Sequence, residues 1–213
     1  MNLLSVRRYE EALTAYEQES AIFRETGEGS AWAGLGAALA ELERVDESIA
    51  ARQQAVAAYY DVGNLSGEAR TSGELGSDLH QVGRHAESVI VHMREAELRR
   101  RLGDRVNEGR AVCNVGRGLE NEGQYEKAIT WCSRGAAISR ETGYHQAEAH
   151  ALRHLADALK SVGRIDESIA AWQRSVTCCQ ELGDERDEAV SQYGLGKALL
   201  DEPSTAASGS ARP

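Results

Sequence analysis

The chain has 213 residues, of which 41% are hydrophobic and 5% aromatic, and its 34 acidic and 24 basic side chains give a formal net charge of −10. This charge argues against a protein that binds nucleic acid over its whole surface, because phosphate binding depends on clustered Lys and Arg. No run approaches the roughly 18 apolar residues of a membrane-spanning helix, and the first residues lack the charge order of a secretory signal. We therefore expect a cytoplasmic protein that binds neither nucleic acid nor membrane, and the excess of Arg over Lys, 21 to 3, favours a bacterial source.

Glycines at a nearly fixed interval divide the chain into repeated units. They are separated by 36, 40, 40 and 40 residues and fall at Gly27, Gly63, Gly103, Gly143 and Gly183. Each follows a segment with apolar residues at helical spacing, as does a Gly that ends a helix in the left-handed conformation. The period predicts one elongated stack of repeats rather than separate domains.

Each unit is predicted to contain two helices, A and then B. Asn64, Asp104 and Asp184 follow turn glycines and can cap a helix A, which places the starts of these helices near 65, 105, 145 and 185, with Tyr144 as the uncapped exception. Gly83, Gly123 and Gly163, with Glu43 in the same place, mark the turn before helix B. The B helices are predicted at 8–26, 45–62, 85–102, 125–142 and 165–182. The first full helix A is four residues short, so we expect it to begin at Ser30 and to lose one turn.

Small residues recur inside helix A at one phase, at Gly36, Gly76, Gly116, Ala156 and Gly196. A Gly inside a helix costs about 1 kcal/mol relative to Ala, so its repetition predicts close approach of a neighbouring helix. The flanking apolar residues should form a buried stripe. These residues are Leu35, Leu39, Leu75, Leu79, Val115, Leu119, Leu155, Leu159, Leu195 and Leu199, and Ile49, Val89, Ile129 and Ile169 should face them from helix B.

The segment Trp32-x2-Leu35-Gly36-x2-Leu39 resembles the W-x2-L-G-x2-Y opening of the tetratricopeptide repeat (TPR), and the small residue later in that pattern falls on Ser48, Ser88, Ala128 and Ser168. The period of 40 rather than 34 is similar to that of TPR arrays in kinesin light chains, polarity scaffolds and actinobacterial regulators. The resemblance implies an all-α fold, a right-handed superhelical α-solenoid. Its units would be a truncated first TPR at 1–27, repeats at 28–63, 64–103, 104–143 and 144–183, a capping helix at 184–201 and a disordered tail at 202–213.

The sequence contains no convincing catalytic or metal-binding pattern. The four cysteines, Cys113, Cys132, Cys178 and Cys179, have no CxxC pair, so we expect buried, reduced thiols. His150 and His154 share a helix face but lack an obvious third ligand. The stretch Gly194-Leu195-Gly196-Lys197 lacks the spacing of a phosphate-binding loop. We therefore predict a non-enzymatic protein without a catalytic residue, metal or cofactor.

The TPR resemblance implies that the A helices line a concave groove. Alignment on the Leu-Gly pair places the candidate peptide-binding residues there: Arg70, Ser77, His80, Arg110, Cys113, Asn114, Arg117, Glu120, Asn121, His150, Arg153, Asp157, Lys160, Tyr193 and Lys197. Five cations in the middle repeats (Arg70, Arg110, Arg117, Arg153 and Lys160) face the two anions Glu120 and Asp157, a formal +3.

This excess of positive charge predicts a scaffold that binds an acidic peptide or segment of a partner protein. Asn114 lies where similar repeats carry an Asn that holds the peptide main chain. Three alternatives stay open. The arginines can pair with acids of neighbouring helices, the truncated N-terminal repeat can dock on another copy to form a homo-oligomer, or the array can be a regulatory or ligand-sensing module of a larger bacterial regulator, such as a transcriptional one.

Overall fold

The computed structural model of the chain describes residues 11, 14 and 29–201. Apart from positions 11 and 14, the predicted first repeat at 1–27 and the predicted tail at 202–213 lie outside these residues. The described part contains helices and no strand, as the all-α prediction requires. The helices are α1 (Gly29–Glu41), α2 (Val45–Asp61), α3 (Leu65–Gln81), α4 (His85–Arg101), α5 (Arg105–Asn121), α6 (Tyr125–Glu141), α7 (His145–Ser161), α8 (Ile165–Leu182) and α9 (Glu185–Leu200).

The odd-numbered helices are the A helices and the even-numbered ones are the B helices. The last four A helices begin at the predicted positions, at Leu65, Arg105, His145 and Glu185. Helix α1 begins at Gly29, one residue before the predicted start and at the edge of the described residues, and it has 13 described residues against 17 in α3. Among the described helices, none is both long and apolar enough to cross a membrane.

The helix caps and the turn residues lie at the predicted positions. The side chains of Asn64, Asp104 and Asp184 each accept a hydrogen bond from the backbone N–H three residues later. All of the described turn glycines have φ between 68° and 79°. Glu43 occupies the equivalent place before α2 with φ of 61°, which makes it the one non-glycine residue with a positive φ in the described part of the chain.

Helices A and B cross closely at the recurring small residues. The hydroxyl of Ser48 donates to the Gly36 carbonyl at 2.8 Å, and that of Ser88 donates to the Gly76 carbonyl at 2.7 Å. A Cβ atom on Gly36 would lie 2.6 Å from Cγ of Arg52, so the predicted close approach is confirmed there. A Cβ on Gly196 would meet nothing within 4 Å, because no helix follows α9 among the described residues.

The order of contacts shows which helices form the inner layer. Each B helix packs between the A helix of its own repeat and the next A helix. Successive A helices also contact one another, α1 with α3, α5 with α7 and α7 with α9, whereas the described B helices make no comparable contacts among themselves. The A helices are therefore the inner layer of the stack, as expected of a TPR solenoid. Contact between α3 and α5 is at most marginal, which leaves a gap between these two A helices.

The left-handed backbone at Glu43 yields a stability prediction. Glu43→Gly should raise the free energy of unfolding by about 0.5–1 kcal/mol, because the relief of left-handed strain, about 1–2 kcal/mol, exceeds the added entropy of the unfolded chain, roughly 0.5–1 kcal/mol. Urea denaturation followed by circular dichroism measures the change. Gly123→Glu, at the equivalent turn, is the matched control and should shift the midpoint in the opposite direction. A lower midpoint for Glu43→Gly would contradict the prediction.

Candidate functional site

A cavity of about 340 Å³ opens in the gap between α3 and α5. Its walls are formed by side chains of these two inner helices, and its floor by two residues of α4, Glu95 and Arg99. The wall residues are Arg70, Gly73, Glu74, Ser77, Arg110 and Asn114. Four of the predicted groove residues, Arg70, Ser77, Arg110 and Asn114, therefore lie around one concave site.

The floor residues were missed by the sequence analysis, which assigned the groove to the A helices alone. Glu95 reaches the cavity because Gly73 has no side chain. A Cβ at Gly73 would lie 2.6 Å from Oε1 of Glu95. Glu95 is buried and forms a 2.9 Å hydrogen bond with Nδ1 of His92, while Arg99 pairs with Asp104 at 2.9 Å. The absence of a side chain at Gly73 was the one signal in the sequence.

Two predicted cations on α5 have no carboxylate within 4.0 Å among the described residues. Arg110 is exposed at the rim of the cavity, and Arg117 is half-buried with no hydrogen-bond partner for its Nε. Burial lowers the pKa of the Arg117 guanidinium. The two residues are seven apart, so they lie on the same helix face at a separation of about 10 Å along its axis. Asn114 lies on that face between them.

The other predicted cations have anionic neighbours. Nη1 of Arg153 lies 3.1 Å from Asp187, which also accepts a hydrogen bond from Nε2 of His150 at 2.8 Å. Nζ of Lys160 lies 2.5 Å from Asp201. Arg70 lies 3.6 Å from Glu74. Pairing with neighbouring acids, one of the alternatives that the sequence left open, thus applies to Arg153 and Lys160. Of the five cations predicted in the middle repeats, the two without a carboxylate neighbour among the described residues both lie on α5.

The predicted groove anions lie close together near the end of α5. An oxygen of Glu120 lies 2.7 Å from Nδ1 of His154. Partial desolvation, and next the charge of Glu120, raise the pKa of Asp157, although much of its side chain still contacts solvent. Anions therefore limit the positive surface on the side of α7.

The remaining predicted residues differ in their access to the groove. Ser77 and Asn121 are exposed, and the Ser77 hydroxyl donates to the Gly73 carbonyl at 3.0 Å. Tyr193 is exposed with Nζ of Lys197 5.6 Å from its ring centre. Cys113 does not reach the groove, because its thiol is buried 3.8 Å from the Ala147 carbonyl and burial raises its pKa to about 12.

His80 lies half-buried near Arg117, with its ring centre 4.7 Å from that of His85. Desolvation, and next the charge of Arg117, lower the pKa of His80 to about 4. His80 is therefore neutral at physiological pH and adds no positive charge to the groove.

This shift predicts a pH dependence. A histidine of the unfolded chain titrates near pH 6.5, so between that pH and about 4 the unfolded state binds a proton that folded His80 does not. Folding stability should therefore fall as the pH is lowered through this window. NMR titration of the His80 ring should give a pKa of about 4 in the wild type and a higher value in Arg117→Met. Arg110→Met is the control and should leave it unchanged; equal pKa values in all three proteins would exclude a role for Arg117.

No protein-family model and no curated protein matches the sequence. Several solved structures are similar to the structure of this chain. BtubC (BKLC) from P. vanneervenii superposes with a TM-score of 0.74 at 10% identity, over 94% of this chain and 85% of that one. TPR-like repeats of a putative kinesin light chain from Podosopora anserina give 0.66 at 18% identity, over 84% and 93%. YrrB, a TPR protein with an unusual peptide-binding site, gives 0.66 at 17% identity, over 90% and 87%. These similarities, together with the repeated helix pairs, show that the chain has the fold of the TPR α-solenoids.

Proposed function

We propose that the chain is a non-enzymatic scaffold that binds an acidic segment of a partner protein in the cavity between α3 and α5. The observation that carries this proposal is the pair of cations without carboxylate partners, Arg110 and Arg117, on one face of α5 beside a concave site of about 340 Å³. Peptide binding is described for YrrB. A Rap protein complexed with competence and sporulation factor has a TM-score of 0.66 at 16% identity, and this chain spans 59% of its length.

The spacing on α5 suits an extended ligand. Arg110, Asn114 and Arg117 are related as i, i+4 and i+7, so they form one stripe along the helix. A guanidinium can hold a carboxylate through two parallel hydrogen bonds. Between the two arginines, the amide of Asn114 offers both a donor and an acceptor to a peptide main chain. The stripe therefore fits two acidic side chains separated by a backbone contact.

Burial makes Arg117 the more important of the two cations. Its Nε is buried without a hydrogen-bond partner, and an unsatisfied buried donor destabilises a protein until a ligand supplies an acceptor. A carboxylate at Arg117 would gain a charge-assisted hydrogen bond in a partly desolvated setting. Arg153 is less available, since a ligand would have to displace Asp187.

Charge reversal on α5 tests the proposal. The probe is an array of synthetic peptides that alternate Glu or Asp with apolar residues, beside matched peptides with Lys in place of the acids. Arg117→Glu and Arg110→Glu should each weaken binding of the acidic peptides about tenfold or more, as expected for loss of a charge-assisted hydrogen bond of roughly 1.5–3 kcal/mol.

Arg101→Glu is the control, because Arg101 is exposed at the end of α4 outside the cavity and its reversal changes the net charge by the same amount. Its binding should equal that of the wild type, and wild-type binding should weaken with added salt. Equal effects of the three reversals would indicate a response to net charge alone. Preference for the Lys peptides would contradict an acidic ligand.

A second candidate function is self-association, which is favoured by a face of α9 that no other described helix covers. Leu199 is 46% exposed, whereas the equivalent leucines of the four preceding A helices are at most 6% exposed. Those leucines are Leu39, Leu79, Leu119 and Leu159. A Cβ atom added to Gly196, on the same face, would meet nothing within 4 Å, whereas helix-B side chains occupy that space at Gly36, Gly76 and Gly116. This face of α9 therefore resembles the faces of the other A helices that pack against a helix B.

The sequence of the chain contains a segment suited to that face. Tyr9-Glu10-Glu11-Ala12-Leu13 matches Tyr125-Glu126-Lys127-Ala128-Ile129 at the start of α6, so residues 8–26 carry a helix-B pattern. We infer that this segment of a second copy covers α9. Such a head-to-tail contact uses different surfaces on the two copies, and it produces either a ring or an open chain of subunits.

Paired substitutions test this contact. Leu199→Asp and Leu13→Asp should each abolish self-association in sedimentation experiments, because each places a charge in one half of the same apolar contact. An equal mixture of the two variants should form heterodimers, since each retains the half that the other lacks. Val190→Asp is the control at a residue of similar exposure, 48%, outside this face. A monomeric wild type at high concentration would exclude the contact.

A further inference from the structure

Three potential metal ligands, His145, Cys178 and Glu181, meet where α7 and α8 pack together in the repeat at 144–183, and Glu148 lies beside them. His145 and Glu148 lie on α7, and Cys178 and Glu181 lie on α8, each pair three residues apart on one helix face. Ligand atoms of His145, Cys178 and Glu181 all lie within 4.8 Å of one another. Nδ1 of His145 is 3.8 Å from Oε2 of Glu148 and 3.7 Å from Oε2 of Glu181.

Two atoms of this group of residues are buried and have no hydrogen-bond partner. Nδ1 of His145 and Oε2 of Glu148 make no hydrogen bond, although both are inaccessible to solvent. The Glu148 side chain is 2% exposed. Buried polar atoms are nearly always paired, so a carboxylate oxygen and an imidazole nitrogen that face each other unpaired indicate a missing group between them.

The preceding repeat has the same two carboxylates and shows how an arginine pairs with them. There Arg105 bridges the equivalent carboxylates, with 2.8 Å to Glu108 and 2.9 Å to Glu141. Forty residues later the carboxylates are kept as Glu148 and Glu181, but His145 replaces the arginine and Cys178 replaces Ile138. The shorter imidazole cannot bridge both acids, and an apolar side chain has become a thiol. Both substitutions exchange a structural group for a metal ligand.

The distances between the ligand atoms fit coordination of a metal ion better than they fit hydrogen bonds. A hydrogen bond between nitrogen and oxygen requires about 2.7–3.2 Å. Ligand atoms around a tetrahedral zinc ion, with bonds of about 2.0–2.3 Å, are roughly 3.3–3.7 Å apart. The distances of 3.7 and 3.8 Å from Nδ1 of His145 to the two carboxylates lie close to the second range.

We propose that His145, Glu148, Cys178 and Glu181 bind a divalent transition-metal ion, with zinc as the preferred ion. Imidazole, thiolate and carboxylate ligands in a four-coordinate set match the preferences of zinc. Cys178 and Glu148 are buried and form the closed side of the site, while His145 and Glu181, 39% and 46% exposed, leave a path for entry. The ion would join α7 to α8 as Arg105 joins α5 to α6.

The charges of the site balance when the ion is bound. The thiolate and the two carboxylates carry three negative charges, and the ion together with Arg174, which lies 3.2 Å from Glu148, carries three positive ones. Burial, and next the charge of Glu148, raise the pKa of Cys178 to about 11, so the thiol is protonated before the ion arrives. Binding therefore releases the thiol proton to solvent as the metal–sulfur bond forms.

Cobalt(II) is the spectroscopic probe for this site. The full chain, stripped of metal by a chelator and kept reduced with a phosphine, should bind one equivalent of cobalt(II). It should develop a thiolate-to-cobalt charge-transfer band and the visible absorption of tetrahedral cobalt, and zinc should displace both. Cys178→Ala should lose the charge-transfer band. No cobalt absorption in the wild type, or a band that persists in Cys178→Ala, would overturn the proposal.

His145→Arg keeps the fold while removing the ligand, because it restores the bridge made by Arg105 in the preceding repeat. Circular dichroism should show wild-type helicity for this variant. Its zinc affinity should fall at least about 100-fold, and zinc should raise the thermal midpoint of the wild type without raising that of the variant. Equal stabilisation of both proteins by zinc would show that the ion binds elsewhere and would exclude this site.

Discussion

The crossing of helix A over helix B at a small residue is the contact on which the rest of the stack depends. Ser48, Ser88 and Ser168 donate hydrogen bonds of 2.7–2.8 Å to the helix-A carbonyl at the crossing. The repeat at 104–143 has Ala128 and no hydroxyl at this place, yet Cys132 still occupies the space beside Gly116. A small helix-A residue at the crossing, Gly or Ala156, is therefore common to all four described repeats, whereas the hydrogen bond is not. Because this crossing recurs, each A helix presents its inner face one repeat further along the stack.

The helices were predictable from the sequence because their signals are local. A capping side chain, a glycine with positive φ and apolar residues at helical spacing all act within a few residues, and they located the A-helix starts at Leu65, Arg105 and Glu185. The charge of the groove was less predictable. The pair between Arg153 and Asp187 joins residues 34 apart on different A helices, so alignment within one repeat placed the arginine in the groove without its partner.

The cavity between α3 and α5 depends on a difference between repeats. Gly73 leaves room for the carboxylate of Glu95, whereas the equivalent Cys113 turns its thiol into the core over Gly135. A groove that was uniform along the stack would offer the same surface at every repeat. Here the marginal contact of α3 with α5 and the floor that Glu95 and Arg99 of α4 provide create one distinct site. This site therefore differs from the rest of the groove through side chains that do not recur, on a backbone that does.

Because the backbone repeats, a residue that differs from the equivalent residues of the other repeats can be compared with them directly. Arg105 and His145 occupy the same place between the same two carboxylates, so the loss of hydrogen bonds at His145 follows from the side chain and not from a different helix packing. The same logic applies on α5. Arg117 is half-buried where Ser77 and Asp157 stand in the adjacent repeats, so stacking does not require a cation there. A buried donor without an acceptor weakens its own repeat, and this supports the proposal that Arg117 serves to bind a ligand and not to hold the stack together.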